Sequence, residues 1–173
     1  LINSVAISPD ERKIAYVLER VSDDKKKYFT NIHMYDLDKA ESRQFTFGDH
    51  NDTGISWSPD GKHIAFVSTR DKKSGIYIMP VEGGAERKLI EKEGSFSSLT
   101  WTPDGSEIVY QFRYSDSHEI EDEKEKNKPP LYRHITRLWY RLDGAGYLPK
   151  DRFHIWKVKV EDGKDEQVHH EGN

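Results

Sequence analysis

The residues able to do chemistry in this chain are scattered, and each short motif misses the spacing its chemistry needs. A strained serine nucleophile requires G-x-S-x-G, and neither Gly94-Ser95 nor Lys73-Ser74-Gly75 supplies it. There is no cysteine, which removes thiol nucleophiles, thiolate metal sites and disulfides together. His169-His170-Glu171 carries metal-ligating atoms, but adjacent histidines on a strand point to opposite faces. Tyr35-Asp36-Leu37-Asp38 lacks the further oxygen ligands and the glycine of a calcium loop. Asp60 and Asp104 each follow a proline and read as turn formers. Almost all other acidic residues fall in turns or in one charged linker, which leaves no buried carboxylate pair for glycoside chemistry. Glu82-Gly83-Gly84-Ala85 has no helix after it, so it reads as a hairpin turn and not an anion cradle. Asn51-Asp52-Thr53 fits a glycosylation acceptor, but no secretion signal accompanies it and the match is read as coincidence. No metal and no cofactor is expected.

Aromatic residues divide by position. Trp57 and Trp101 recur at equivalent points of a repeat and are assigned to core packing. Trp139, Tyr140 and Tyr147 lie in a non-repeated insertion and are the better candidates for contacting a ligand.

That repeat is the organising feature. Val5-Ala-Ile-Ser-Pro-Asp10, Ile55-Ser-Trp-Ser-Pro-Asp-Gly61 and Leu99-Thr-Trp-Thr-Pro-Asp-Gly105 place prolines at 9, 59 and 103, periods of 50 and 44 residues. Proline presets φ for the second position of a tight turn, glycine suits the fourth, and the residue before proline is extended. Each copy therefore reads as a strand running into a turn. Glu11 stands where the other copies have glycine, which a type I turn tolerates. A second strand follows with period-two alternation: Ile14-x-Tyr16-x-Leu18, Ile64-x-Phe66 and Ile108-x-Tyr110-x-Phe112, with small Ala15, Ala65 and Val109 between. Third strands read Ile32–Leu37, Ile76–Val81 and Ile155–Val160, and polar fourth strands Ser42–Thr46, Glu86–Ile90 and Glu166–His170. Pro80 cannot donate a ladder bond, so that strand end is expected to lack a partner there. Four short strands per unit, repeated radially, predict an all-β partial β-propeller of about three antiparallel blades, in preference to a β-sandwich. The blades run from about 1–48, 49–94 and 95–173, the third carrying an insertion at 114–153.

Within that insertion, His118–Lys128 is nearly all charged and precedes Pro129-Pro130, a composition that builds no core. Ile135–Leu142 has strand character, and Asp143-Gly144-Ala145-Gly146 reads as a turn. The chain carries a net charge of −4 with its signs mixed. That excludes the concentrated basic stripe of a nucleic-acid binder, and Lys25-Lys26-Lys27 reads as a solvated hairpin tip. No run of apolar residues is long enough to span a membrane, and LINSVAISPD is not a signal peptide. No nucleic-acid or membrane partner is expected, and the composition fits the cytoplasm.

The repeated S-x-D-G turn followed by Ile-Ala-Phe or Ile-Val-Tyr resembles TolB-type propeller repeats. Tyr140-Arg141-Leu142-Asp143-Gly144-Ala145-Gly146-Tyr147 followed by His154-Ile155-Trp156 is similar to a segment in the N-terminal propeller of acylaminoacyl-peptidases, of the prolyl oligopeptidase family. The resemblance spans essentially the whole chain. It implies a two-domain serine peptidase in which a propeller restricts access of peptides to an α/β-hydrolase domain, here absent. This chain alone is then expected to be inactive, with no catalytic residue of its own. Some relatives hold a substrate's N-terminus with propeller residues, which makes Arg113, Arg137 and Arg141 candidates by resemblance. The alternative is a TolB-like propeller acting as a protein-binding scaffold. An incomplete ring exposes apolar blade faces, so self-association or marginal stability is expected.

Overall fold

The computed structural model describes residues 1–22, 26–71, 73–116 and 151–168, with the backbone of 141–142 and 146–147. It is all-β: among the described residues there is no helix, and three four-stranded antiparallel sheets form a partial β-propeller. Blade 1 holds β1 (Ile2–Ile7), β2 (Lys13–Val21), β3 (Tyr28–Asp36) and β4 (Glu41–Gln44), in that order across the sheet. Blade 2 holds β5 (Asp52–Trp57), β6 (His63–Asp71), β7 (Lys73–Pro80) and β8 (Arg87–Lys92). Blade 3 holds β9 (Gly94–Trp101), β10 (Glu107–Tyr114), β13 (His154–Lys159) and β14 (Asp165–Gln167). The pair β11 (Arg141–Leu142) and β12 (Gly146–Tyr147) forms its own small ladder between β10 and β13.

Alternation along each strand gives every blade two faces, and neighbouring blades bury one against the other. Ala15, Val17, Ile32, Met34 and Phe45 of blade 1 pack on Trp57, Ile64, Phe66 and Tyr77 of blade 2. Ala65, Val67, Ile76 and Ile78 of blade 2 pack on Leu99, Ile108, Tyr110 and Phe112 of blade 3. The small residues between the large ones thus face the next blade, and the large ones face the preceding blade, which lets sheets nest closely. The ladder between β7 and β8 stops at Ile78 and Arg87, so the missing donor of Pro80 meets no strand on that side.

The Ser/Thr-Pro-Asp turns repeat atom for atom. Ser58 Oγ accepts from the His63 N–H at 2.9 Å and donates to Asp60 Oδ1 at 2.6 Å, and Asp60 accepts from the Lys62 N–H at 3.0 Å. Ser8 with Asp10 and Thr102 with Asp104 do the same. Each turn closes on a left-handed residue: Gly61 at φ 68°, Gly105 at φ 72° and Glu11 at φ 60°. This corrects the expectation for Glu11. The position demands positive φ, which a side chain adopts only at a cost of about 1–2 kcal/mol. Glu11→Gly should therefore raise unfolding free energy by about 0.5–1 kcal/mol, net of the extra freedom glycine has when unfolded. Urea denaturation measures it, and a loss of stability would contradict the strain.

Asp104 shows what the turn does to a carboxylate. The Thr102 hydroxyl, then the Ser106 N–H and hydroxyl, hold it down to about 2 against an ordinary 3.8. Because the folded value lies below the unfolded one, the turn's contribution is full above about pH 4 and is lost as pH falls through about 2. A carboxyl-carbon NMR titration should find the Asp104 midpoint near 2; an ordinary midpoint would mean the turn's bonds do not form in solution.

Candidate functional site

Four strands and three turns per blade place the loops of each blade at two opposite ends. The Pro-Asp turns join first to second strands at one end. The β2–β3, β6–β7 and β10–β13 connections leave from the other, so the insertion between Tyr114 and His154 springs from the end opposite the Pro-Asp turns. Of the candidate contact residues, Arg113 near the end of β10 lies at that end, and a cleft lies at the Pro-Asp end.

That cleft has a volume of about 740 Å³ and lies between blades 2 and 3. Ile78, Pro59, Pro103 and Trp101 give it apolar walls, and Asp60, Asp104, His63 and Arg87 supply its polar groups. The equivalent position between blades 1 and 2 is bridged, because Lys13 Nζ reaches Glu82 Oε1 at 3.2 Å. His63 holds the strand position of Lys13, paired across the ladder with Pro80 as Lys13 is with Asp36. The shorter, ring-ended side chain leaves the second gap open. No nucleophile is poised in the cleft. The Ser58 hydroxyl is engaged within its own turn, and one Arg87 nitrogen is held by the Val160 carbonyl at 2.5 Å.

Arg113 lies near the end of β10, with its guanidinium 4.8 Å from the centre of the Phe153 ring. It is remote from the cleft in topology, at the root of the insertion. Arg141 and Tyr147 pair across the β11–β12 ladder, so the structure brings these two strand positions together. Arg137, Trp139 and Tyr140 lie outside the described residues, as do the charged 118–128 stretch, Asp143-Gly144-Ala145 and His169-His170-Glu171. Among the described residues no group of His, Asp and Glu is arranged to hold a metal ion.

Two sets of interblade ties are repeated. Trp57 Nε1 donates to the Ala6 carbonyl of blade 1 at 3.1 Å, and Trp101 Nε1 to the Ser56 carbonyl of blade 2 at 3.1 Å. In the other direction, Arg43 donates to the Val81 carbonyl at 2.6 Å, as Arg87 does to Val160. Trp57 is a core residue as expected, whereas Trp101 is only partly buried against the core and also walls the cleft, and each places its one donor on the neighbouring blade. Sequence reading missed the arginines, although the 44-residue spacing of Arg43 and Arg87 repeats that of Trp57 and Trp101.

The expectation that acidic residues sit in turns or linker fails at Asp52. It opens β5 and is fully buried. Arg70 approaches its Oδ1 at 3.3 Å and His50 Nε2 its Oδ2 at 3.3 Å. Arg70 also donates to Ser68 Oγ at 2.8 Å, pairs with Glu86, and lies over the Tyr77 ring at 4.6 Å. A charged network thus fills the insertion end of the blade 1–2 interface. In the blade 2–3 interface the register positions of Ser68 and Arg70 carry Phe112 and Tyr114, and an aromatic cluster replaces the charges. Lys92 enters it, 3.4 Å from the centre of the Trp156 ring and paired with Asp165. Burial, and the carboxylate of Asp165 that it donates to, push the Tyr110 phenol well above its ordinary value.

Comparison with known proteins agrees with this architecture. The acylaminoacyl peptidase solved in complex with Z-Gly-Gly-Phe-chloromethyl ketone superposes with a TM-score of 0.75 at 19% identity, covering 96% of this chain and 24% of that one. TolB from Acinetobacter baumannii superposes with a TM-score of 0.62 at 21% identity, over 99% of this chain and 33% of that one. The uncharacterized peptidase YuxL of Bacillus subtilis (strain 168) is 32% identical over 164 residues, 93% of this chain and 25% of that protein. The chain thus spans about a quarter of the length of the peptidases it matches. Residues 2–132 match the family model of the TolB beta propeller domain, PD40. On that match, and on three blades tied in register, the chain belongs to the TolB beta propeller family.

Proposed function

We propose that this chain is the propeller segment of a serine peptidase of the acylaminoacyl-peptidase type, and that its blades limit which peptides reach a hydrolase domain outside the 173 residues. The observation that carries the reading is 32% identity to peptidase YuxL, maintained over 93% of the chain. The described residues support a passive role: closely nested sheets, repeated interblade ties, and a cleft with no free nucleophile. Gating of this kind is steric and needs only a rigid wall. In this reading Arg113, Arg137, Arg141, Trp139, Tyr140 and Tyr147 contact the peptide from the insertion end, and the protein works in the cytoplasm.

The test uses the full product of the gene that encodes the chain. A fluorophosphonate probe should label one serine in it, and an N-acylated peptide should be hydrolysed, while the 173-residue chain alone does neither. A gene product that the probe leaves unlabelled would overturn the peptidase reading and favour a binding scaffold.

A further inference from the structure

The two interblade gaps at the Pro-Asp end follow one plan, and a side chain fills only the first. Pro103, Trp101 and Val160 line the cleft between blades 2 and 3, and Pro59, Trp57 and Val81 hold the same repeat positions one blade earlier. Gly61 faces the Pro9 ring as Gly105 faces that of Pro59, so the turns stack alike. The lining changes in kind at four positions. Lys13, Met34, Asp36 and Glu41 in the first gap become His63, Ile78, Pro80 and Ala85 in the second. Three of these exchanges put a ring or a methyl group where Lys13, Asp36 and Glu41 stand, and a cleft of about 740 Å³ is left.

The filled gap shows what this shape holds. The Lys13 side chain keeps 26% of its exposure and that of Glu82 keeps 86%, so the lysine stem is enclosed and its ammonium meets the carboxylate at the rim. Glu161 follows Val160 as Glu82 follows Val81. It is exposed and has no ion pair among the described residues. Asp60 and Asp104 also line the cleft. The Ser58 hydroxyl, then the Lys62 N–H, holds the Asp60 carboxyl below its ordinary value, so it stays charged at neutral pH as Asp104 does. Against these three carboxylates the lining sets Arg87, which is tied to the Val160 carbonyl. The second gap thus keeps the apolar walls and the acidic rim of the first without its lysine.

We propose that the cleft between blades 2 and 3 binds an extended peptide through one lysine side chain. The stem lies between Pro103, Trp101 and Pro59, and the ammonium reaches Glu161 as that of Lys13 reaches Glu82. Charge complementarity carries the choice of a cation, and the chain's own lysine in the sister gap carries the choice of its shape. A cleft of about 740 Å³ holds more than one side chain. Residues flanking the bound lysine therefore take the space beside Pro80 and Ala85 that Asp36 and Glu41 occupy in the first gap. This recognition lies at the end opposite the insertion, and it needs no hydrolase domain.

NMR titration with acetyl-Gly-Lys-Gly-amide should shift the Trp101 indole resonance saturably and leave that of Trp57, at the filled gap, in place. The same peptide with norleucine should bind about threefold more weakly, and with glutamate more weakly still. n-Pentylammonium, the bare side chain, should also bind more weakly than the lysine peptide. No shift at Trp101, or norleucine binding as well as lysine, would overturn the proposal. Tighter binding of the glutamate peptide would make Arg87 the anchor and overturn it as well, and pentylammonium as tight as the peptide would remove the peptide from it. Glu161→Gln should erase the preference for lysine over norleucine; a preference that persists would contradict the placement of the ammonium. His63→Lys restores the residue of the first gap and should abolish binding with the circular dichroism unchanged, and binding that survives it would show that the cleft is not the site. None of these titrations requires a bond to be cleaved, so they succeed or fail separately from the peptidase reading.

Discussion

Asp52→Ala should lower the unfolding free energy by about 3 kcal/mol, because it leaves a largely buried guanidinium without its deepest partner. Asp52 is fully buried, and the Arg70 side chain retains only 13% of its exposure. Removing the carboxylate strands Arg70 against Phe66 and Tyr77, with Glu86 as its remaining anion at the rim. His50 Nε2, now 3.3 Å from Asp52 Oδ2, loses its neighbour as well. Against a typical stability of about 5–15 kcal/mol, a loss of this size leaves a small margin. The loss belongs to the uncompensated charge more than to the pair itself. Asp52→Leu with Arg70→Met, which removes both charges and keeps apolar volume, should therefore recover most of it. Urea denaturation of the parent and of both variants measures this. A single-variant loss below about 1 kcal/mol would mean that water already reaches the cluster.

Trp57→Ala should cost about 3–5 kcal/mol by emptying the centre of the blade 1–2 interface. Trp57→Phe separates the two roles of the ring. It keeps most of the packing but orphans the Ala6 carbonyl, for a loss of about 1–3 kcal/mol. Trp101→Phe should cost a similar amount at the blade 2–3 interface, where the indole meets Ser56. Equal losses at the two sites would mark the tie as a property of the repeat. A Trp57→Phe variant as stable as the parent would show that the indole donor contributes nothing beyond its area.

The blades were legible in the sequence because period and turn chemistry agree. Pro-Asp-Gly fixes the turn, and alternation from Ile14, Ile64 and Ile108 fixes which face each residue takes. The strand faces and the burial of Trp57 follow from these local rules, while Trp101, at the same repeat position, is only partly buried beside the cleft. Glu11 was misjudged because the motif names the turn but not the φ of its last residue. The ties from Arg43 and Arg87 were not legible, since each links residues 38 or 73 apart through a carbonyl that no sequence pattern marks. Asp52 was hidden for a related reason. An Asn-Asp-Thr run looks like a loop, and only the packing of blade 1 on blade 2 shows that Asp52 is enclosed. The cleft lies where the repeat carries His63 in the place of Lys13, and what that exchange does to an interblade gap is a tertiary matter.

Hydrogen exchange of the tryptophan indoles, followed by NMR, tests the repeated interblade architecture most directly. The Nε1 protons of Trp57 and Trp101 each bond a carbonyl of the preceding blade, and they should exchange only when the blades separate, with protection approaching that of the slowest backbone amides. Indole protons of Trp57 and Trp101 that exchange as fast as those of a free tryptophan would contradict it.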